Sequence, residues 1–585
     1  MQPLSRSSAM LRRTLARKSP LNTTGSRLTA RRWVHEGPGG PSPNAPPPPH
    51  SGQPPQQGSK VLGFLAAFGL SAGAAYYFYP INSPEPAKEE KPRKIRKPTK
   101  VQAVEEKKPE AGEGPVNSSR DSPGVYAWGS NAGKVIDPTS NETVIKSPRR
   151  IAFFDDQVLR DLKLRHNFGA AINEKGNLVL WGDAVSAEDP SPVTTLEGKD
   201  LVKLAVSADR VVALGSDSTV YSVPVSRHDQ LTGQKVSPQG SWMPFWQSAN
   251  QPDAVNYRSL TPSLKSREKI VDISSGLEHC LMLTSKGRVF SAATSTIEFP
   301  SRGQLGVPDL TWHTRPDGAY DQPHEVKELS NHHAVQIATG EMHSAVLDKD
   351  GWVFVWGDNI YGQLGYAGGR GKQFVDKPTP LDVDKLYTKT EYTPRVTSIA
   401  AGGASTFFTA EATARSSPSE KDIPAQTFDV WACGGGLHGT LGTGKFAHAT
   451  SRPAKVRSLS SAFEFDEATN KLAPIRISRL VAGSNHVAAV MAAKTTGSTG
   501  ADVLVWGGNE HYQLGTGKRT NLHTPTFVAA LDAESRTDEA VPGGDQRLQL
   551  APKRTVRLDG GKGKKVAFEQ RVEVGGMVTA VYAGV

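Results

Sequence analysis

The stretch VFVWGDNIYGQLGY, residues 353–366, joins a run of large apolar residues to a Trp-Gly pair and ends in two further glycines. It returns position for position as VLVWGGNEHYQLG (503–515) and as DVWACGGGLHGTLG (429–442), where Cys433 takes the tryptophan position. Four weaker copies complete a set of seven: VYAWGSNAGKV (125–135), LVLWGD (178–183), VYSVP (220–224) and VFSAA (289–293), with a displaced GQLG at 303–306. Self-similarity of this kind indicates a repeat architecture.

A second motif precedes most of these copies. It reads IATGEMHSAVLDKDGWVF (337–354) and ISSGLEHCLMLTSKGRVF (273–290) in identical register. More divergent versions lie at 162–172, 203–214, 399–409, 481–491 and 571–585. Alternating apolar residues punctuated by glycine predict four short strands per repeat. About seven such units predict an all-β chain over residues 123–585, folded as a seven-bladed β-propeller.

The order of the two motifs predicts how the ring closes. The repeat region begins with the Trp-Gly motif at Val125 and ends with the other motif at Val585. One blade must therefore be completed by strands from both ends of the region. Such closure leaves no open sheet edge between the first and last blades.

The repeats resemble those of the regulator-of-chromosome-condensation family, which are seven-bladed propellers. The residues that carry the resemblance are GxxHxxA, then V-[FL]-V-W-G-x-N, then QLG. In such a unit the glycines permit close backbone approach, the tryptophans fill the space between blades, and the leucines insert beneath the next blade. The structural repeat positions in the two best copies are Gly340, His343, Trp356, Gly357, Leu364, Gly483, His486, Trp506, Gly507 and Leu514.

The repeated histidines could form either a metal site or packed structural contacts. His279, His343 and His486 share one repeat position, which Phe168, Arg210, Ser405 and Val578 fill elsewhere. We expect hydrogen-bonded core histidines, and no metal or cofactor. The glycine-rich DGGKGKK (559–565) lacks the spacing and the Ser/Thr of a phosphate-binding loop. With no HExxH, GxSxG or CxxC motif either, the sequence predicts a protein that is not an enzyme.

The N-terminal region predicts a targeting sequence followed by a membrane anchor. Residues 1–35 are rich in Arg, Ser and Thr and lack acidic residues, which is typical of a mitochondrial transit peptide, although a disordered basic tail is the alternative. A Pro/Gly-rich linker (36–60) precedes an uncharged stretch at 61–79, long enough for one transmembrane helix. A buried core helix is the other interpretation of that stretch. A charged linker, 80–122, follows.

The distribution of charge argues against nucleic-acid binding. The net charge is +11, but residues 1–100 carry +12 and the remainder carries −1. Nucleic-acid-binding domains usually concentrate basic residues on one face. We therefore expect no nucleic-acid partner for the propeller.

Insertions are the positions where the repeat pattern breaks. One of them contains GSWMPFW, which places Trp242, Met243, Phe245 and Trp246 in a segment otherwise rich in Gln, Ser and Pro. Aromatic residues of this kind are favoured anchors of protein interfaces. They are candidate partner-binding residues, although they could instead fold back onto their own blade.

Three functions are compatible with these features. The first is a scaffold held on the mitochondrial inner membrane, with the propeller in the matrix or in the intermembrane space. Its resemblance to fungal mitochondrial propellers implies partners among respiratory-chain subunits or assembly factors, in particular for the cytochrome bc1 complex (complex III). The second is a guanine-nucleotide exchange factor for a mitochondrial GTPase. The third is a mitochondrial ribosome assembly factor.

Overall fold

A computed structural model describes Ser119 and residues 122–585, apart from 234–254, 367–372, 416–423, 467–469, 493–499, 532–546 and 558–564. These residues belong to one compact unit, Pro109–Val585. The predicted transit peptide, the first linker and the predicted membrane helix at 61–79 lie outside the described residues, as does nearly all of the charged linker. Within the described part of the chain, no helix has the length and apolar character needed to cross a membrane.

The described residues are almost entirely strands, turns and loops. Among the described residues from 122 onward, helical structure is limited to one short helix, α1 (Arg227–Thr232), and 3-10 turns at Ala152–Phe154, Lys327–Leu329, Asp384–Leu386 and Arg457–Leu459. In chain order the strands are β1 (Val125–Ser130), β2 (Val144–Arg150), β3 (Leu159–Leu164), β4 (Gly169–Asn173), β5 (Leu178–Trp181), β6 (Val193–Leu196), β7 (Leu201–Val206), β8 (Arg210–Gly215), β9 (Val220–Pro224), β10 (Arg258–Ser259), β11 (Ile270–Ser275), β12 (His279–Thr284), β13 (Val289–Ala293), β14 (His324–Glu325), β15 (Ala334–Thr339), β16 (His343–Asp348), β17 (Val353–Asp358), β18 (Phe374–Pro380), β19 (Tyr392–Gly402), β20 (Ser405–Ala414), β21 (Gln426–Gly436), β22 (Ala447–Lys455), β23 (Phe463–Asp466), β24 (Lys471–Pro474), β25 (Ile477–Ala482), β26 (His486–Met491), β27 (Ala501–Gly507), β28 (Leu522–Phe527), β29 (Gln549–Leu550), β30 (Arg554–Arg557), β31 (Lys565–Val574) and β32 (Val578–Gly584).

Five blades of the propeller are separate antiparallel sheets. Four of them have four strands each, namely β7–β10, β11–β14, β15–β18 and β19–β22, and the fifth contains β25–β29. Strands β23 and β24 form a hairpin of their own between two blades. The propeller and the all-β class are as predicted.

The prediction of seven separate blades is wrong, because the remaining strands are joined in one nine-stranded sheet. One half of this sheet is the meander β3–β4–β5–β6, and the other half contains β30, β31, β32, β1 and β2. A single parallel pair, Leu159 with Gly584, connects the halves. The last strand of the chain thus bridges two repeats that the sequence pattern treats as independent.

The ring closes through strands from both ends of the repeat region. Strand β1 pairs antiparallel with β32 over five residues, from Val125 opposite Tyr582 to Gly129 opposite Val578. The pairing places a C-terminal strand between β1 and β31. The predicted closure is confirmed, and it leaves neither of these strands with an unpaired edge in the sheet.

Seven inner strands, one from each repeat, surround a central channel of about 430 Å³. They are β3, β7, β11, β15, β19, β25 and β31, and each contacts the next around the ring. The inner strands approach so closely that glycine is needed where they converge. A Cβ at Gly340 would overlap the His343 ring and lie 2.7 Å from the Gly403 carbonyl oxygen, and one at Gly575 would collide with the Leu164 carbonyl.

The hydrophobic core lies between blades. One cluster packs Val353 and Leu364 against Val396 and Phe408 of the following blade. Because each cluster takes side chains from two repeats, no single repeat could bury its apolar face alone.

Candidate functional site

Each repeat histidine bonds to the neighbouring blade. The His343 Nε2 lies 2.8 Å from the Thr406 hydroxyl, and that hydroxyl donates to the Gln363 carbonyl at 2.7 Å. Because the Thr406 hydroxyl donates its only hydrogen to Gln363, it can only accept from His343, and His343 is therefore the donor through Nε2. The contact therefore joins two blades rather than forming a ligand site. We call such a contact between neighbouring blades a seam.

The same seam recurs at the other two histidines. His279 bonds to Ser344 at 2.9 Å and His486 to Thr579 at 2.8 Å. Burial lowers the pKa of His343 to about 4 and the pKa values of His279 and His486 to about 3. All three side chains are therefore neutral at pH 7. Within the described ranges, no group of three His, Cys, Asp or Glu side chains is placed to hold a metal ion.

The repeat tryptophans fill the same seams. Trp356 is fully buried against the preceding blade, and its indole N–H donates to the Gln304 carbonyl at 2.9 Å. Ser344 donates to that same carbonyl at 2.9 Å. Trp506 repeats the arrangement by donating to Thr440 at 2.7 Å.

The repeated leucines and glycines lie at buried packing positions and at close backbone approaches. Leu364 and Leu514 are fully buried, each in a cluster shared with the following repeat. Gly357 and Gly507 have φ of 103° and 110°, a region that residues with a Cβ rarely adopt. A Cβ at Gly483 would meet the Gly575 carbonyl oxygen of the neighbouring inner strand.

Repeats that lack the histidine or the tryptophan make different contacts at these positions. Arg210, at the histidine position, donates to the hydroxyl and the carbonyl of Ser222 in its own blade. Cys433, at the tryptophan position, is fully buried and keeps a weak contact of 3.5 Å with the Gln363 carbonyl.

The aromatic residues singled out in the sequence, Trp242, Met243, Phe245 and Trp246, lie outside the described residues. The structure instead shows an exposed apolar pocket in the insertion between β13 and β14. We call it the 295–320 pocket, and its lining residues are Ser295, Thr296, Ile297, Glu298, Phe299, Trp312 and Tyr320. Its volume is about 420 Å³. Sequence reading missed it, although Phe299 and Trp312 flank the displaced GQLG.

The 295–320 pocket presents large apolar side chains to solvent. Ile297 is 75% exposed and Trp312 is 52% exposed. Phe299 packs edge-on against Trp312, with 5.9 Å between ring centroids. The Arg315 guanidinium lies over the Trp312 ring at 4.2 Å, which fixes the indole without covering it from solvent.

The insertion is fastened to the preceding blade, so the pocket is pre-formed. The Thr296 amide donates to Asp209 at 3.0 Å, and Arg258 pairs with the buried Asp321 at 2.6 Å. Arg258 also lies 5.5 Å from the Tyr320 ring centroid. A rigid apolar pocket with a polar rim loses little entropy when a partner binds.

The repeats themselves match a known family model. Residues 350–409 and 501–540 match the regulator of chromosome condensation (RCC1) repeat, and residues 334–363 match a second model of that repeat. The propeller therefore contains RCC1 repeats. The matched segments contain Trp356 and Trp506, two of the tryptophans in the inter-blade seams.

Several proteins are similar to this chain. "Protein FMP25, mitochondrial" of Saccharomyces cerevisiae is 23% identical over 68% of this chain, and the match covers 64% of that protein. The mouse "Secretion-regulating guanine nucleotide exchange factor" is 29% identical over 45% of this chain and half of its own length. The chain thus spans less than two thirds of the length of either relative.

Solved structures agree on the fold. Human WBSCR16 aligns over 79% of this chain and 99% of its own, with 18% identity and a TM-score of 0.50. Yeast RCC1 (Prp20), solved with Kap60 bound, aligns over 83% of this chain and 96% of its own, with 18% identity and a TM-score of 0.51. Identities this low support the propeller and nothing about partners.

Proposed function

We propose that this RCC1-repeat propeller is a non-enzymatic scaffold of the mitochondrial inner membrane that assists assembly of complex III through protein contacts. The observation that carries the proposal is the 295–320 pocket, whose exposed Ile297 and Trp312 are suited to a protein partner. The similarity to a mitochondrial relative and the transit-peptide-like composition of residues 1–35 support the compartment. The role in complex III assembly rests on family resemblance.

The proposal assigns residues 61–79 to a single membrane anchor and residues 123–585 to the propeller. The basic run after the anchor favours the matrix side by the positive-inside rule. Protease treatment of mitoplasts, with blotting for the propeller, distinguishes the two sides. Protection of the propeller supports the matrix placement, whereas its digestion supports the intermembrane space.

Removing the apolar side chains of the 295–320 pocket should reduce partner binding. We expect the double variant Ile297→Ser, Trp312→Ala to recover at least about tenfold less complex III subunit from solubilised mitochondria, because interface anchors of this kind each contribute about 2 kcal/mol or more. The measurement is affinity purification of the full chain followed by quantitative mass spectrometry, with native gels of the respiratory complexes.

A matched control is available in Trp352, which is also 52% exposed but lies in the turn between β16 and β17. Trp352→Ala should leave recovery unchanged. Equal recovery with the double variant and with Trp352→Ala would remove the pocket from the proposal. Recovery of ribosomal subunits in place of complex III subunits would contradict the assembly role and favour the ribosome assembly factor.

A second candidate is a guanine-nucleotide exchange factor, favoured by the similarity to the mouse protein of that name. The full chain in detergent can be mixed with mitochondrial GTPases loaded with fluorescent GDP. Acceleration of GDP release would support exchange activity. Release at the intrinsic rate with every GTPase tried would leave the scaffold as the better account.

A further inference from the structure

The channel rim is asymmetric in its backbone hydrogen bonds. On one side the loops that follow the inner strands are linked in a series: the Ala208 amide donates to Leu277, Leu277 to Glu341, and Glu341 to Gly403. These bonds measure 2.8 to 2.9 Å. At the equivalent positions of the next loops the series stops. Among the described residues, the amides of Gly403, Ser484 and Gly576 do not continue this series of bonds between loops.

These three residues follow one another around the ring and line the channel. Gly403 and Gly576 are buried, with Ser484 between them in the order of the ring. Buried backbone N–H groups are almost always paired with protein, water or a ligand. A row of amides that converge on one cavity is a common feature of anion sites.

An arginine stands beside this row. Arg165 occupies the repeat position that five of the other six inner strands give to glycine, namely Gly276, Gly340, Gly402, Gly483 and Gly575. It lines the channel, and its Nε is buried without a hydrogen-bond partner. Burial lowers the pKa of Arg165, and the carboxylate of Glu341 acts in the opposite direction.

The other charges of the channel are largely paired. Lys163 bonds to Glu573 at 2.9 Å, and Lys203 forms an ion pair with Asp272. Arg479 also lines the channel, and its charge acts on both members of the Lys163–Glu573 pair. The lining in total holds four cations, Lys163, Arg165, Lys203 and Arg479, against three carboxylates, Asp272, Glu341 and Glu573. This balance favours an anionic ligand.

We infer that the channel mouth binds a small organic oxyanion, with a phosphate or carboxylate group held by Arg165 and by the amides of Gly403, Ser484 and Gly576. The guanidinium presents a planar set of donors that matches either group. The cavity of about 430 Å³ lies in the usual range for small-molecule pockets, about 300 to 1,000 Å³, so it has room for the rest of the ligand.

Calorimetric titration of the purified full chain at about 150 mM salt tests the site. The probes are inorganic phosphate and citrate, with the uncharged polyol sorbitol as the negative ligand. We expect phosphate or citrate to bind and sorbitol not to bind. Whichever of the two anions binds more tightly identifies the preferred group. Absence of heat from both anions at millimolar concentration overturns the inference.

Arg165→Gly is the decisive variant, because it installs the residue that most of the inner strands already carry. It should weaken binding of the preferred anion by at least about tenfold. Arg165→Lys keeps the charge without the forked donors and should weaken binding less, and it serves as the test if the glycine variant fails to fold. Arg160→Gln, on β3 but paired with Asp200 outside the channel, should bind as the unaltered chain does. Equal affinity in Arg160→Gln and in a folded Arg165 variant contradicts the site.

Discussion

Replacing Trp356 with alanine should lower the free energy of unfolding by about 3 to 5 kcal/mol, the range found when a buried tryptophan is truncated. The indole is fully buried between two blades and donates to the Gln304 carbonyl at 2.9 Å. Its loss opens a cavity in an inter-blade cluster that includes Leu281 and Val346. Chemical denaturation followed by circular dichroism measures the change.

Trp352→Ala is the matched control for this experiment, because the same residue type lies four positions earlier in the chain with half of its surface exposed. We expect its free energy of unfolding to change by less than about 0.5 kcal/mol. If both variants unfolded at the same denaturant concentration, the seam would not be a principal source of stability. A smaller denaturant dependence in Trp356→Ala alone would instead show that blades unfold separately.

Acidification should destabilise the propeller through its buried histidines. Burial lowers the pKa of His486 from 6.5 to about 3. The stability contributed by the neutral form is fully present above pH 6.5, and it is lost as the pH falls from 6.5 towards 3, because the unfolded chain takes up the proton first. One histidine loses about 1.4 kcal/mol for each pH unit. The losses at His279, His343 and His486 have the same sign and add as the pH falls.

His486→Gln isolates one of these contributions. The variant should be less stable at pH 7 because it lacks the bond to Thr579, but its stability should fall less steeply between pH 6.5 and 5, by about 1.4 kcal/mol per unit. Comparing slopes cancels groups common to both proteins, such as Glu278, whose pKa burial raises to about 7. His228→Gln, at a side chain 79% exposed, should leave the slope unchanged. Parallel pH profiles for the two variants would contradict the assignment.

Much of the fold could be predicted from the sequence, because the same interactions recur in each copy of the repeat. The Trp-Gly motif predicted β17 and β27, and the preceding histidine motif predicted β16 and β26. The packing of Trp356 and Leu364 between repeats was also predictable, since only an inter-blade position explains large apolar residues at a fixed repeat position.

The joined sheet was not predictable in this way. It depends on one parallel pair, Leu159 with Gly584, between residues more than four hundred positions apart in the chain. No periodic pattern encodes such a pair, because it arises only after the ring has closed and brought the last strand beside β3. The count of separate sheets therefore depends on tertiary structure.

The candidate sites likewise separate into those that the sequence predicted and those that only the tertiary structure revealed. The sequence by itself predicted a closed β-propeller whose repeats resemble the RCC1 family and whose repeated histidines and tryptophans have structural roles, because strand periodicity and repeat register are local properties of the chain. Only the tertiary structure revealed the 295–320 pocket, which exists because Asp209 and Arg258 of the preceding blade hold the insertion in place. The same holds for the channel rim, where Arg165 and loops from separate repeats line one channel only when the inner strands converge.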